Sequence, residues 1–134
     1  MKQIITALFL LVSSVVMAQV QKKNPTSVAD KPVADSALGT WVIDLRPTPA
    51  SEPYLKEFKF TKINEKGFDG EFYGYPFTGG FLNLDWDKIY FAFTTADQSG
   101  TYFHSGYIEG NKVFGITLNE NRKFVLPWKG QKKN

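Results

Sequence analysis

The sequence predicts an all-β fold, an eight-stranded antiparallel up-and-down barrel of the meander type. Three observations lead to this fold class. Short segments with alternating apolar and polar residues follow one another between residues 41 and 128. That region holds 20 of the 21 aromatic residues of the chain. Short clusters of Gly, Asn and Asp separate the segments at the spacing of hairpin turns, and no segment has the 3.6-residue period of a helix.

The alternation predicts eight strands. They lie at about 41–46, 54–63, 68–75, 80–86, 88–95, 101–108, 112–118 and 122–128. Gly79-Gly80 is interpreted as the turn before the fourth strand. Six strands have a clear apolar face, whereas in the sixth and seventh either face could point inward. Because no helix is available to cover the apolar face, the sheet is expected to close on itself, which also removes its exposed edges.

Length and composition limit the possible functions. The chain has 134 residues, which favours one domain, and it is 43% hydrophobic and 22% charged, as globular proteins are. It contains no Cys, which excludes disulfides, thiolate metal sites and a cysteine nucleophile. It contains one His, which excludes a zinc site with several histidines. No cofactor or metal is expected.

The first residues have the pattern of a secretory signal peptide. Lys2 supplies a positive charge, and residues 4–17 are almost continuously apolar. Val16-Met17-Ala18 places small residues where a signal peptidase cleaves, so cleavage is expected before Gln19. The apolar run is shorter than the ~20 residues of a membrane-spanning helix. The protein is therefore expected to be periplasmic or secreted, without a membrane span after cleavage.

Four segments follow from these patterns. The expected division is a signal peptide at 1–18, a polar linker or arm at 19–37, the barrel at 38–128 and a basic tail at 129–134. Removal of Lys2 would lower the net charge from +3 to +2. This bias is too small to indicate nucleic-acid binding. The oligomeric state stays open between a monomer and a homodimer.

The meander assigns side chains to the two ends of the barrel. Trp41 begins the first predicted strand, Trp86 ends the fourth and Trp128 ends the eighth. Because antiparallel strands alternate in direction, all three fall at one end, where the indoles are expected to form a plug.

The opposite end collects polar and aromatic groups typical of a ligand site. Arg122 has the same parity as Phe124 and Leu126, so it is expected to point into or across the mouth. Outward Tyr73, Tyr75 and Tyr90 are expected to suit an interface or a dimer face. The candidate ligand-binding residues at the mouth are Arg46, Tyr54, Thr95, Tyr102, His104, Thr117 and Arg122, with Phe58, Phe91 and Phe93 as apolar walls for a ligand tail.

No catalytic constellation is found. Ser105 follows His104, but neighbouring strand residues face opposite sides, so the two do not form a nucleophile–base pair. We therefore do not expect an enzyme.

Leu38-Gly39-Thr40-Trp41 at the head of the first strand, followed by a meander of eight strands, resembles the calycin superfamily of lipocalin-like and avidin-like barrels. The chain is also similar in outline to small exported proteins of Gram-negative bacteria. It lacks the disulfide of lipocalins and an arginine beside Trp128 that could stack on Trp41, for which Lys129 is the nearest candidate. It lacks the dense Trp and Ser/Thr/Asn pattern of avidins, so biotin binding is not expected.

Two functions remain open. The first is a carrier or sensor that binds a small amphipathic or anionic molecule at the barrel mouth, since an eight-stranded barrel is just wide enough to hold one small ligand. The second is a protein-binding module, like the small periplasmic barrels that inhibit secreted proteases. A cavity of a few hundred Å³ beneath Arg122 would favour the first, and a filled barrel with an exposed aromatic patch the second.

The first prediction concerns processing. Exported protein is expected to begin at Gln19, and deletion of residues 1–18 is expected to leave a folded barrel, because the first strand begins only near Leu38. Mass spectrometry of the exported protein reads its first residue directly. Exported material that still begins at Met1 would disprove the signal peptide.

Overall fold

An eight-stranded antiparallel barrel forms from the residues that the structure describes, as the sequence predicts. The computed structural model describes residues 32–134, so the predicted signal peptide and most of the predicted arm lie outside it. The strands pair in chain order and β8 closes on β1. A short 3-10 helix, Ala34–Ala37, precedes the strands, which are β1 Gly39–Asp44, β2 Leu55–Ile63, β3 Gly67–Phe72, β4 Tyr75–Asn83, β5 Ile89–Asp97, β6 Gly100–Glu109, β7 Lys112–Asn119 and β8 Phe124–Lys132.

The pairing register decides the faces of β6 and β7 that the sequence left open. His104 on β6 lies opposite Thr117 on β7, and both side chains are buried inside the barrel. Phe114, Ile116 and Leu118 consequently point outward. The more apolar face of β7 is thus its outer face, which is why periodicity alone could not choose between the two.

The turn between β3 and β4 differs from the predicted one. Phe72 pairs with Tyr75, so a two-residue loop, Tyr73-Gly74, joins the strands. Both residues have left-handed backbone angles, with φ of 56° and 81°. A type I′ hairpin turn requires such angles at both central positions. The predicted third strand, 68–75, included Tyr73 as an outward strand residue, whereas Tyr73 lies in the turn.

Gly79-Gly80 is a β-bulge inside β4, so its prediction as a turn was wrong. Phe68 pairs with Gly80 and Gly70 with Phe77, which leaves one extra residue on β4. Gly79 has a φ of 73° and its N–H donates to the Asp69 carboxylate at 3.1 Å. A Cβ on Gly80 would lie 2.5 Å from the Phe68 ring, so only glycine fits there.

The expected plug of three indoles at one end is also wrong. β4 ends at Asn83, and Trp86 lies in the following loop with 68% of its surface exposed. Trp128 is buried in the middle of β8, opposite Gly115, because β8 continues beyond it to Lys132. The segment predicted as a basic tail therefore contributes the second half of this strand. Trp41 alone packs near the end where it was placed.

A layer of aromatic rings fills the barrel. Phe58 lies at its centre, fully buried. Six rings surround it at centroid distances of 4.6–6.5 Å, and they belong to Phe60, Phe72, Phe77, Phe91, Phe93 and Trp128. Edge-to-face and offset contacts of this kind add to the free energy gained by burying apolar surface.

The 3-10 helix and the end of β8 close the barrel around Trp41. The indole N–H of Trp41 donates to the carbonyl of Ala37 at 2.9 Å, and both residues are completely buried. The ammonium of Lys132 lies 5.5 Å from the Trp41 ring centroid and donates to the carbonyl of Ser36 at 2.6 Å. Lys132, not Lys129, thus lies over Trp41, since Lys129 pairs with Asp44 further along β1.

Replacement of Trp41 tests this closure. Trp41→Ala is expected to lower the free energy of unfolding by about 3–5 kcal/mol, the cost of a large buried aromatic side chain. Urea denaturation followed by tryptophan fluorescence measures the change. Exposed Trp86→Ala is the matched control, with an expected effect within about 0.5 kcal/mol. A loss below about 1 kcal/mol in Trp41→Ala would contradict the packing described here.

Candidate functional site

A cavity of about 400 Å³ opens at the end of the barrel where β1 ends and β2 begins. Strand direction brings this end together with the ends of β3, β5 and β7 and the beginnings of β4, β6 and β8. Below the cavity the barrel is packed with aromatic rings. The cavity walls comprise Leu45, Pro47, Tyr54, Phe72, Tyr73, Tyr75, Thr95, Ala96, Asp97, Tyr102, His104, Thr117, Arg122, Phe124 and Leu126.

Six of the ten predicted ligand-binding residues line this cavity, namely Tyr54, Thr95, Tyr102, His104, Thr117 and Arg122. They come from three strands and two loops, so only barrel closure brings them together. The period-two alternation predicts the mouth position of Arg122, which lines the cavity. The face of His104 was left open by the sequence, and the pairing of β6 with β7 places it inward.

Arg46 does not reach the cavity, so its placement on the polar rim was wrong. Its guanidinium binds the Asp44 carboxylate, with Nε 2.7 Å from Oδ2, and Nη1 donates to the Ser51 carbonyl at 3.3 Å. Asp44 also accepts the backbone N–H groups of Arg46 and Tyr54, each at 3.1 Å. The hydrogen bond from Arg46, together with these two, lowers the pKa of Asp44 to about 2. Arg46 therefore orders the β1–β2 loop.

Phe58, Phe91 and Phe93 do not line the cavity either. Each is at most 4% exposed and packs in the aromatic layer beneath it. Phe93 comes closest, since its ring stacks under His104 at 4.5 Å. Their prediction as apolar walls for a ligand tail was therefore wrong, because rings from several strands fill this part of the barrel. Alternation along the strands predicts that these side chains point inward. It does not predict at which depth along the barrel the cavity begins.

The cavity includes aromatic residues that the predicted set omitted, among them Phe72, Tyr73 and Tyr75. Phe72 forms part of the floor, with its ring 4.4 Å from that of His104. Tyr73 and Tyr75 lie on the wall instead of serving only as an outward interface. Gly74 was the available signal, because an X-Gly pair between alternating segments is typical of a two-residue hairpin turn. The predicted third strand already ended at Tyr75 at this end of the barrel, and a correct reading of the turn would have shown that both tyrosines flank the mouth.

A row of polar side chains crosses the floor of the cavity. The Trp128 Nε1–H donates to Thr117 Oγ1 at 2.9 Å. Thr117 Oγ1 lies 2.8 Å from His104 Nδ1, and His104 Nε2 lies 2.9 Å from Thr95 Oγ1. We call these four residues the polar row. Among the residues that the structure describes, no buried side-chain nitrogen or oxygen lacks a hydrogen-bond partner.

His104 is neutral in this environment. It is 3% exposed, and its ring lies against those of Phe72 and Phe93. Burial disfavours the imidazolium ion and lowers the pKa of His104 to about 4. Its hydrogen-bond partners are two uncharged hydroxyl groups, which leaves no carboxylate in contact with the ring to hold a proton there. Both ring nitrogens are engaged, so the imidazole has a structural hydrogen-bonding role.

Arg122 and Tyr102 form the polar part of the rim. Arg122 Nη1 donates to the Tyr102 hydroxyl at 2.9 Å, which raises the pKa of Arg122. The guanidinium also lies 5.4 Å from the Phe124 ring centroid. Asp97, whose charge also raises the pKa of Arg122, accepts the N–H of Ser99 at 2.7 Å. The remaining N–H groups of Arg122 have no partner among the hydrogen bonds of residues 32–134, and the side chain is exposed at the mouth.

A second aromatic group forms the other side of the rim. The hydroxyl groups of Tyr54 and Tyr73 share a hydrogen bond. The Lys56 ammonium lies 4.7 Å and 4.9 Å from their ring centroids. The shared hydrogen bond lowers the pKa of Tyr54 and raises that of Tyr73. These contacts hold both rings at the entrance.

Comparisons with protein-family models, curated proteins and solved structures found no match to this chain. In residues 32–134, no group of three or more His, Cys, Asp or Glu side chains is arranged to hold a metal ion. The same residues contain no helix with the length and apolar character needed to cross a membrane. The proposal for function therefore depends on the geometry of the cavity.

The buried imidazole makes stability depend on pH. A histidine with a pKa near 6.5 when unfolded and about 4 when folded binds more protons in the unfolded state, so stability falls as the pH drops from 6.5 towards 4. A loss of about 2 kcal/mol is expected between pH 7 and pH 5. Urea denaturation at several pH values measures it.

His104→Gln is the control for this pH dependence. This variant is expected to be less stable than the wild type at pH 7. Its stability should change little between pH 7 and pH 5, because the chain has no other His. Wild-type protein that is equally stable at both pH values would contradict the neutral, buried imidazole.

Proposed function

We propose that this protein is an exported barrel that binds one small amphipathic or anionic molecule in the cavity at its mouth. The observation that supports the proposal is the cavity itself, about 400 Å³ with aromatic walls and a few converging polar groups. Concave, mostly apolar sites of this size with a few placed polar groups are typical of small-molecule binding. Export is proposed from the N-terminal sequence pattern, which lies outside the described residues.

The depth of the cavity limits the ligand. Phe72, His104 and Leu126 close it from below, and Phe93 packs directly beneath His104. A long hydrocarbon chain has no room in this direction. The apolar part of the ligand is therefore compact, and a ring or short branched group lying against Tyr54, Phe72 and Phe124 would fit.

Arg122 is the group that would attract an anionic ligand. It is the one guanidinium on the cavity wall, since Arg46 is bound to Asp44. It keeps free N–H groups for a second partner, and a guanidinium binds planar anions through paired hydrogen bonds. Tyr102 holds one Nη in place, so Arg122 is partly positioned before a ligand arrives.

We also propose that the barrel is related to the calycins. The closed eight-stranded meander and a buried Trp41 after Gly39 support this relation. Lys132 lies over the Trp41 ring, where the resemblance had suggested an arginine or Lys129. The relation favours ligand binding at the open end but does not indicate which ligand.

A protein-binding module is the alternative, and one observation favours it. Phe103, Leu118 and Val125 lie side by side on the outer face of β6, β7 and β8, with exposures of 46%, 36% and 64%. Exposed apolar surface of this kind is typical of contact sites for other proteins. Neither function requires that the protein be an enzyme.

The fluorescent anion 8-anilinonaphthalene-1-sulfonate provides a test of the site. It is expected to bind the wild-type protein with increased fluorescence. Arg122→Ala should weaken this binding by about 1.5–3 kcal/mol, the strength of hydrogen bonds to charged groups, and should leave the thermal unfolding temperature almost unchanged. Fluorescence titration and thermal denaturation measure the two effects.

Two control variants locate the dye. Lys112→Ala removes a positive charge at the opposite end of the barrel and is expected to leave binding unchanged. Val125→Ser, on the outer face, should also bind normally. Dye binding that Val125→Ser abolishes and Arg122→Ala does not affect would place the dye on the outer face and would favour the protein-binding alternative.

A further inference from the structure

We propose that the ligand presents a carboxylate to the floor of the cavity, where Thr95 and Tyr102 donate hydrogen bonds to its oxygens. This inference rests on the proposed function and adds the chemical class of the group that is recognised. It follows from counting hydrogens along the polar row Trp128–Thr117–His104–Thr95, whose three hydrogen bonds span 2.8–2.9 Å.

The polar row has one hydrogen more than its internal bonds can use. With neutral His104, the four side chains carry one polar hydrogen each, on the indole, the two hydroxyls and the imidazole. Three hydrogen bonds join them, so three hydrogens are used. The fourth has no acceptor within the row, whichever nitrogen of His104 carries the proton. Since the row lies on the cavity floor, this hydrogen is available to a ligand.

Burial decides which hydroxyl carries the extra hydrogen. The Trp128 indole can only donate, so Thr117 Oγ1 must accept from it. If His104 Nδ1 also donated to Thr117, the spare hydrogen would sit on a hydroxyl that is only 5% exposed. If Thr117 instead donates to Nδ1, then Nε2 donates to Thr95, and the spare hydrogen is on the more accessible Thr95. The second arrangement is favoured because an unsatisfied buried donor is costly.

Tyr102 supplies a second donor by the same reasoning. Its hydroxyl accepts from Arg122 Nη1, so its own hydrogen is free. Thr95 and Tyr102 are directly paired across β5 and β6, and both side chains line the cavity. Two free O–H groups on adjacent strands, with a guanidinium beside one of them, match the two oxygens and the charge of a carboxylate.

The same arrangement disfavours other polar groups. An ammonium would direct its own hydrogens at the hydrogens of Thr95 and Tyr102. A primary amide could accept from one of them through its carbonyl oxygen, but its N–H group would face the other donor, and unpaired donors inside a pocket reduce affinity. Asp97 also lines the cavity, but its carboxylate accepts the Ser99 N–H in the β5–β6 turn. Asp97 acts electrostatically on Arg122 and would also repel an anion, so the carboxylate is expected against the hydroxyls of Thr95 and Tyr102.

Three probes with the same ring test the chemistry, namely 1-naphthoate, 1-naphthamide and 1-naphthylmethylamine. Calorimetric titration of the wild-type barrel is expected to give the tightest binding for the carboxylate, at least tenfold tighter than for the amide or the amine. The Trp128 indole N–H signal in NMR spectra should shift with the carboxylate, because the polar row ends at the ligand. Equal binding of all three probes would overturn the proposed preference for a carboxylate while leaving a ligand site in place. Binding of none would overturn both proposals.

Substitutions at Thr95 separate the donor from its surroundings. Thr95→Val keeps the shape and removes the hydroxyl, and it is expected to weaken 1-naphthoate about tenfold, with less effect on the amine. Thr95→Ser keeps the hydroxyl and should restore most of the affinity. Thr95→Val protein that binds 1-naphthoate as tightly as the wild type would show that Thr95 makes no such bond.

The tautomer of His104 is a separate measurement. The chain has one His, so in protein without a histidine tag the imidazole nitrogens are assigned unambiguously by long-range ¹H–¹⁵N NMR. The expected state at pH 7 has the proton on Nε2. A proton on Nδ1 would overturn the assignment of the donor to Thr95 and would move it to Thr117.

Discussion

The layer of aromatic rings around Phe58 determines how much of this barrel can serve as a site. The barrel has room for side chains but little more, and Phe58 contacts six rings contributed by five strands. These rings fill the interior from the closed end to the level of Phe72 and Phe93. The cavity is what remains above them, a shallow cup and not a channel.

The polar row depends on this layer. His104 lies directly on Phe72 and Phe93, which exclude water from its lower face and keep its imidazole neutral. A neutral imidazole donates through one nitrogen and accepts through the other, so the direction of the hydrogen bond at Nδ1 decides the direction at Nε2. The buried Trp128 indole, which can only donate, sets that direction at one end, and the cavity lies at the other. The aromatic core and the hydrogen-bonding character of the cavity are thus physically connected.

The residues at the open end of the barrel were easier to predict from the sequence than the depth of the cavity. Strand order and direction predict that His104, Thr117 and Arg122 lie at the open end. Alternation left the faces of β6 and β7 open, and only the pairing register shows that His104 and Thr117 point inward. The role of Arg46 was not predictable in this way, since a local carboxylate, Asp44, captures it within the β1–β2 loop. Phe58, Phe91 and Phe93 were assigned to the correct side of the sheet but to the wrong level.

The sequence by itself determined the fold class, the number and order of the strands and the end of the barrel where polar groups collect. These features depend on local alternation and on turn residues, which act over a few positions. Turn position was harder, because Tyr73-Gly74 and Gly79-Gly80 both allow left-handed backbone angles and only pairing with β3 distinguishes a hairpin from a bulge. Only the tertiary structure decided the cavity volume, the burial of His104 and the contact between Trp128 and Thr117. Each of these depends on which side chains meet across a closed barrel, and the meeting of Trp128 with Thr117 requires the small surface of Gly115 beneath the indole.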